Sequence, residues 1–224
     1  MSAQKILWKE FRDISHPRTG LKQVNVELVD DNICRWKVYL MVIDPKSDYD
    51  GAYFEGQLNF PDEYPFKPPS FRFTPSIFHP NVYPDGRLCI SILHQAGQEA
   101  SDEPDELTWS PAQRVETVLL SILSLLEDPN VNSPANVDAG VMYRKQRDIY
   151  KQKVKSDVQR SRERIPSGFV MPTFEEISTA KEEQEPEDDW WEDDFYEDEE
   201  EDDFDEDDDD DIELERDDES DDSD

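Results

Sequence analysis

The chain has 224 residues and a formal net charge of −34, and 35% of its residues are hydrophobic. The charge is unevenly placed, because residues 182–224 contain 31 acidic residues and one basic residue, which leaves 26 acidic and 22 basic residues in 1–181. A tail of that charge repels nucleic acid and anionic lipid, so neither is expected as a partner. The rest predicts a single globular domain of about 150 residues.

The two cysteines, Cys34 and Cys89, are too few for a disulfide framework and indicate a reducing compartment. The first residues lack the continuous apolar stretch of a signal peptide, and no run approaches the ~18 apolar residues that span a bilayer. We therefore expect a protein of the cytoplasm, the nucleus or both.

The first predicted element is a helix from Ser2 to about His16. Its apolar residues recur at steps of four, four and three, the spacing of one helical stripe: Ala3, Leu7, Phe11 and Ile14. Three basic residues fall on the other side of this helix: Lys5, Lys9 and Arg12.

Four strand-like segments follow the helix. They are rich in β-branched and aromatic residues and cover 24–28, 34–43, 53–60 and 70–74. Turn signals at Asp44-Pro45 and Asp50-Gly51 separate the second segment from the third. The short spacing predicts an antiparallel meander.

Two helices are predicted in the second half of the domain. The first has Ser110 as its N-cap, Pro111 as its first residue and its end at Asp128. The second covers 136–164, and its part from 144 to 164 holds nine basic and three acidic residues. A helix, four strands and further helices predict an α+β fold, without internal repeats.

The composition changes after this helical region. Residues 1–165 are predicted to form the domain, and 166–181 a linker. Residues 182–224 combine low hydrophobicity with a high net charge, which predicts a disordered acidic tail.

Cys89 is the stronger of the two cysteines as a candidate for chemistry. Cys34 lies in a strand-like run, where cysteine usually acts as a small apolar side chain. Cys89 lies in 75–110, a stretch without clear periodicity, and such long stretches are often functional. A cysteine protease needs a histidine base with an orienting partner, and no histidine shows one in the sequence. The chain has three histidines: His16, His79 and His94. Their spacing and that of the cysteines match no common zinc site, so no metal is expected.

Four short motifs accompany Cys89. They are FPDEYPFKPP at 60–69, HPN at 79–81, TWSPAQ at 108–113 and NSPANVDA at 132–139. Cys89 follows Asn81 by eight residues. Together these motifs resemble the catalytic domain of ubiquitin-conjugating enzymes, over about residues 3–165. The resemblance implies that Cys89 carries ubiquitin as a glycyl thioester and passes it to a lysine amine.

An acidic insertion at about 95–108 narrows the resemblance to one type within this family. Its acids are Glu99, Asp102, Glu103, Asp105 and Glu106. With the acidic tail and the run SPANVDAGVMYRK at 133–145, it resembles the cell-cycle type that works with cullin-RING ligases. A related type shares the acidic loop but lacks the long tail. The resemblance implies proteasome-targeting polyubiquitin chains, although the residues alone do not establish the linkage.

In this reaction the thiol needs little activation, whereas the lysine needs more. An ordinary thiol, with a pKa of about 8.5, already supplies a few per cent thiolate at neutral pH, whereas a lysine of pKa about 10.4 must first lose its proton. By the resemblance, Ser91 and Ser133 occupy positions where hydroxyls help to orient the amine, and Tyr83 packs against the acceptor.

Asn81 has two interpretations. Its amide can donate to the oxyanion that forms on attack, or it can brace the active-site loop by bonding to backbone. His79 is interpreted as structural.

The resemblance also assigns partner surfaces. A RING domain is expected on four residues: Phe66, at a loop tip, with Ser110, Pro111 and Ala112. The basic residues of the first helix, Lys5, Lys9 and Arg12, are expected to meet the ubiquitin-activating enzyme.

The tail is expected to bind a basic groove of the cullin. Its aromatic residues are the candidate anchors: Trp190, Trp191, Phe195, Tyr196 and Phe204. A second hypothesis places the tail on the basic helical part 144–164 of the same molecule.

The sequence leaves two other classes of function open: a non-catalytic binding protein on the same fold, and an acidic histone-chaperone-like protein. No phosphate-binding loop is visible, so no bound cofactor is expected. The resemblance implies that ATP is used by the upstream activating enzyme. A monomer is favoured.

Overall fold

The computed structural model describes residues 2–17, 19–95 and 108–182, with side chains as far as 178. Helix α1 covers Ala3–Ile14. Four strands follow: β1 (Val24–Val29), β2 (Asn32–Val42), β3 (Ala52–Asn59) and β4 (Ser70–Phe73). A short 3-10 helix covers Ser91–Leu93, and then come α2 (Val115–Glu127), α3 (Val137–Lys145), α4 (Arg147–Arg162) and α5 (Phe174–Glu182). The predicted α+β fold is confirmed.

The four strands form one antiparallel sheet in the order β1-β2-β3-β4, which confirms the predicted meander. Side chains alternate between its faces. On β2, Trp36, Val38 and Leu40 are completely buried on the inner face. They share one apolar core with α1 and with the buried stripe of α2, which carries Val118, Leu119 and Ile122 among others.

The predicted start of α2 is wrong. Ser110 and Pro111 do not begin it; the carbonyl of Ser110 accepts from the amide of Gln113 at 3.0 Å in a turn, and the helix begins at Val115. Arg114, the N-cap, forms no side-chain bond to the first amides of the helix. The cap comes from α1 instead, because Oε2 of Glu10 accepts from the amide of Val115 at 2.6 Å. A contact across 105 residues therefore replaces the local cap.

The single helix predicted over 136–164 is two helices. The chain leaves helical geometry at Gln146, with φ −139° and ψ 54°, between α3 and α4. After this break, Tyr150 is buried and its hydroxyl lies 2.7 Å from that of Tyr49, far back in the sequence. Tertiary packing here overrides a continuous helical pattern.

Helix α5 lies in the segment that was predicted to be a linker. Thr173 and Glu176 form a reciprocal capping box: the amide of Thr173 donates to Oε2 of Glu176 at 2.7 Å, and the amide of Glu176 donates to Oγ1 of Thr173 at 3.3 Å. The predicted disordered part of the tail from 183 onward lies outside the described residues. Within the described ranges, no helix is long and apolar enough to cross a membrane.

Candidate active site

Cys89 lies at the end of a tight turn that its own backbone holds. The amide of Tyr83 donates to the carbonyl of Arg87 at 2.9 Å, and the amide of Cys89 donates to the carbonyl of Asn81 at 2.9 Å. Gly86 closes the turn with φ +91°, where a Cβ would lie 2.3 Å from the carbonyl oxygen of Phe73. The turn therefore fixes Asn81 beside Cys89 and requires glycine at its tip.

The thiol of Cys89 is half-buried and forms a hydrogen bond with the Tyr83 side chain. The charge on Cys89, burial and this bond together raise the pKa of Tyr83, with the charge the largest cause. Tyr83 is partly exposed, and the guanidinium of Arg87 lies 5.1 Å from the centre of its ring. A protonated phenol therefore stands beside the sulfur at neutral pH.

His79 cannot act as a base for Cys89. It is completely buried; its Nδ1 accepts from the amide of Asn81 at 3.0 Å, so its Nε2 carries the proton and donates to the carbonyl of Leu125 at 3.0 Å. Burial lowers its pKa to about 4, which keeps the ring neutral. Both nitrogens are used in bracing the chain, which agrees with the structural interpretation of this residue.

Asn81 braces the loop that follows α2. Its side chain is 2% exposed, and its Nδ2 donates to the carbonyl of Asn130 at 2.9 Å. Asn130 in turn accepts, through its Oδ1, from the amides of Asn132 at 3.1 Å and Ser133 at 3.3 Å. This chain of bonds ties the Ser133 loop to the Cys89 turn. Oδ1 of Asn81 is buried and, among the described residues, without a partner.

The two predicted serines lie on different supports. Ser91 begins the 3-10 helix two residues after Cys89, and its carbonyl accepts from the amide of His94 at 2.8 Å. Ser133 is exposed on the loop that Asn81 braces. The predicted acidic residues of the insertion, Glu99, Asp102, Glu103, Asp105 and Glu106, lie outside the described residues. So do the aromatic residues of the tail, Trp190, Trp191, Phe195, Tyr196 and Phe204.

The predicted RING surface is formed by two neighbouring loops. Phe66 is 73% exposed at a loop, as predicted, and Pro111 and Ala112 are exposed on the second loop, with Ser110 half-buried before them. Nε1 of Trp109 donates to the carbonyl of Pro65 at 2.7 Å and so joins the two loops. The sequence interpretation had missed this tryptophan, although it stands in the TWSPAQ motif.

The predicted contact face of α1 is exposed. Lys5, Lys9 and Arg12 face solvent, while Leu7 and Ile14 are buried, as the helical stripe predicts. Cys34, in contrast, packs against the apolar core, in agreement with its interpretation as a small apolar side chain.

The chain is similar to known proteins over most of its length. A family profile described as "Ubiquitin-conjugating enzyme" matches residues 6–158. The chain is 55% identical over 175 residues to "Ubiquitin-conjugating enzyme E2-34 kDa" of Saccharomyces cerevisiae, over 78% of this chain and 59% of that protein. It is 45% identical over 153 residues to "Ubiquitin-conjugating enzyme E2" of African swine fever virus, over 68% of this chain and 66% of the viral protein. It is 44% identical over 161 residues to "Ubiquitin-conjugating enzyme E2 13" of Arabidopsis thaliana, over 70% of this chain and 95% of the plant protein. The chain thus spans about three fifths of the length of the yeast relative.

Proposed function

The chain belongs to the ubiquitin-conjugating enzyme family, whose members are transferases, and we propose that its Cys89 accepts ubiquitin as a thioester and passes it to lysine amines. The observation that carries this proposal is the half-buried thiol of Cys89, fixed beside Asn81 by a turn of the chain's own backbone.

The first proposed step exchanges one thioester for another. The thiolate of Cys89 attacks the carbonyl carbon of the ubiquitin C-terminal glycine, a new C–S bond forms, and the thiolate of the activating enzyme leaves with the electron pair of the old bond. The step is nearly neutral in free energy because equivalent bonds are exchanged. ATP is used by the activating enzyme, and this chain needs no bound cofactor.

The second proposed step forms an amide bond. The free amine of a lysine attacks the same carbonyl carbon, the C–S bond breaks, Cys89 leaves as a thiolate, and the nitrogen loses a proton to solvent or to a nearby acceptor. Ser91 and Ser133 are proposed to orient the amine, and Tyr83 to pack against the acceptor that carries it. The acidic residues of the insertion are proposed to attract the lysine.

Asn81 is proposed to brace the loop that carries Ser133, and the bond from its Nδ2 to the carbonyl of Asn130 supports this role. The oxyanion role would need the second hydrogen of the same nitrogen, and it stays a prediction. The two roles separate in the Asn81→Ala variant: slow single-turnover discharge with unchanged thermal stability favours the oxyanion role, and normal discharge removes it.

The proposed ligase is of the cullin-RING class, and the proposed products are polyubiquitin chains that target substrates to the proteasome. The exposed pair of loops at Phe66 and at Pro111-Ala112 supports a RING docking surface. The exposed basic side of α1 supports docking of the activating enzyme through Lys5, Lys9 and Arg12. We place this activity in the cytoplasm and the nucleus.

The acidic tail is proposed to be captured by a basic groove of the cullin rather than by α4. Several basic side chains of α4 and its end already have partners. Arg147 lies 2.6 Å and Lys151 3.7 Å from Asp48, and Arg162 donates to the carbonyls of Gly51 and Asp50 at 2.8 and 2.9 Å. Truncation after Lys181 should lower the association rate with the cullin and flatten its salt dependence. An unchanged rate and salt slope would refute capture.

A loading experiment tests the central activity. The chain is incubated with activating enzyme, ubiquitin and ATP, and an adduct that reductant removes is sought on a gel. Cys34→Ala should keep the adduct and Cys89→Ala should lose it, while Cys89→Ser should form an ester that survives reductant. Absence of an adduct on the unmodified chain would contradict the proposal and favour a non-catalytic binding protein.

A further inference from the structure

Trp109 lies at the junction of the two loops that form the proposed docking surface. Its side chain is buried, with 4% exposed, and its indole N–H donates to the carbonyl of Pro65 at 2.7 Å. Pro65 directly precedes the exposed Phe66, and Trp109 directly precedes Ser110. One hydrogen bond therefore joins the two halves of the surface.

Trp109 is itself held at several points. Its backbone amide donates to the carbonyl of His94 at 2.8 Å, and it pairs with Gln95 in an isolated parallel bridge. Its ring packs against that of Tyr64, with centroids 5.8 Å apart, and the Tyr64 hydroxyl donates to Oε1 of Glu10 at 2.8 Å. The indole thus belongs to the rigid body of the domain, and its N–H provides a fixed point for the loop.

We propose that Trp109 is a positioning residue of the ligase-docking surface, which holds the Phe66 loop at a set distance from Ser110–Ala112. The inference rests on the proposed function, because it takes a RING domain as the partner of this surface. A surface whose loops are already in place loses less conformational freedom when it binds, so its affinity is higher. Without the indole N–H, the Pro65 carbonyl loses its partner, and the Phe66 loop keeps its own turn but loses the hydrogen bond that joins it to the second loop.

The variant Trp109→Phe keeps an aromatic ring and removes the donor. Trp36→Phe is a matched control, because Trp36 is completely buried and its Nε1 donates to the carbonyl of Ile33 at 2.6 Å within the core. Discharge of ubiquitin from the preloaded full chain to free lysine is measured against the concentration of a purified cullin–RING complex. Thermal unfolding of each variant is recorded in parallel.

We expect Trp109→Phe to raise the half-saturating concentration of the cullin–RING complex about three- to tenfold, as the loss of one hydrogen bond predicts, with the maximal rate unchanged. Trp36→Phe should lower the unfolding temperature and leave that concentration unchanged. In a Phe66→Ala background, Trp109→Phe should add little, because it acts through the same loop.

Two results would overturn the inference: equal half-saturating concentrations for Trp109→Phe and the unmodified chain, or effects of Trp109→Phe and Phe66→Ala that add in full. A different result would contradict the proposed function itself. If the unmodified chain shows no stimulation by the cullin–RING complex, the docking surface is wrong and the inference falls with it.

Discussion

The turn that carries Cys89 and the docking surface that carries Phe66 are both irregular in backbone, yet they are held in different ways. The Cys89 turn is closed by hydrogen bonds between its own residues, and the buried polar side chains that support it, those of His79 and Asn81, stand just before or at its start. The two loops of the docking surface are joined across 44 residues by the bond from Trp109 to Pro65, and Glu10 of α1 bonds Tyr64 and Val115 beside them. The difference indicates that substitutions can damage carriage of ubiquitin and docking of the ligase separately.

The largest separation is expected from a substitution at the tip of the Cys89 turn. Gly86→Ala places a Cβ 2.3 Å from the carbonyl of Phe73 at φ +91°, so the turn must rearrange. We expect the rate of thioester formation to fall at least about tenfold, with binding of the cullin–RING complex unchanged. Stopped-time loading assays and equilibrium binding measure the two quantities.

Gly168→Ala is the control for this substitution. Gly168 also has a positive φ, +84°, but nothing lies within 4 Å of an added Cβ. The Gly168→Ala variant should therefore have backbone strain without a steric clash, and it should accept ubiquitin at the normal rate. Equal losses of loading in the two variants would show that the Cys89 turn is not the sensitive region.

The next effect concerns His79, which supports the Cys89 turn, and the free energy of unfolding below neutral pH. Burial lowers the pKa of His79 to about 4, so between that value and the unperturbed 6.5 the unfolded chain binds a proton that the folded chain does not. The contribution is therefore fully present above pH 6.5 and is lost as the pH falls towards 4, by about 3 kcal/mol. Denaturant unfolding between pH 7.5 and 4 measures it.

The variant His79→Gln isolates this contribution from that of the carboxylates. It can still donate to the carbonyl of Leu125 but cannot titrate, so the decline of its unfolding free energy should be shallower by about 3 kcal/mol. Curves of the same slope in both proteins would show that His79 is not the titrating group.

The smallest of these effects concerns Glu10, which bonds residues next to the two loops of the docking surface. Glu10→Ala leaves the amide of Val115 and the hydroxyl of Tyr64 without their acceptor, and should cost about 2 kcal/mol of unfolding free energy. Amide exchange should accelerate at Val115 and stay unchanged at Cys89, because the Cys89 turn does not use Glu10.

Asp13→Ala is the matched control on the same helix. It removes an exposed pair, since Asp13 lies 2.8 Å from Arg114, and such pairs contribute less than about 1 kcal/mol. If exchange accelerated equally at Cys89 and Val115 in Glu10→Ala, the two regions would be one cooperative unit and the comparison would fail.

The contrast between local and distant contacts also explains which features could be predicted from the sequence. The strands, the stripe of α1 and the neighbourhood of Asn81 and Cys89 depend on short spacings, and periodicity or motif predicted them. The start of α2 depends on Glu10, 105 residues away, so the local signal at Ser110 was misleading. The capping box at Thr173 and Glu176 was visible as a Thr-x-x-Glu pattern and was missed.

Residues that hold two distant loops together carry no local signature. The sequence shows Trp109 only as part of a motif, because its hydrogen bond to Pro65 exists only in the folded chain. The break at Gln146 is similar, since no proline or glycine marks it and the contact of Tyr150 with Tyr49 just after it exists only in the folded chain.

Transfer from Cys89 without a histidine base is tested most directly by the pH dependence of lysine discharge from the Cys89 thioester. Ubiquitin is loaded, the activating enzyme is stopped by removal of ATP, and single-turnover discharge to free lysine is followed from pH 6 to 9. Because His79 is buried, neutral and fully bonded, we expect a rate that rises about tenfold per pH unit with the free amine, without a midpoint near 6.5. A rate that levels off above pH 7 with a midpoint near 6.5 would reveal a histidine base and refute transfer without one.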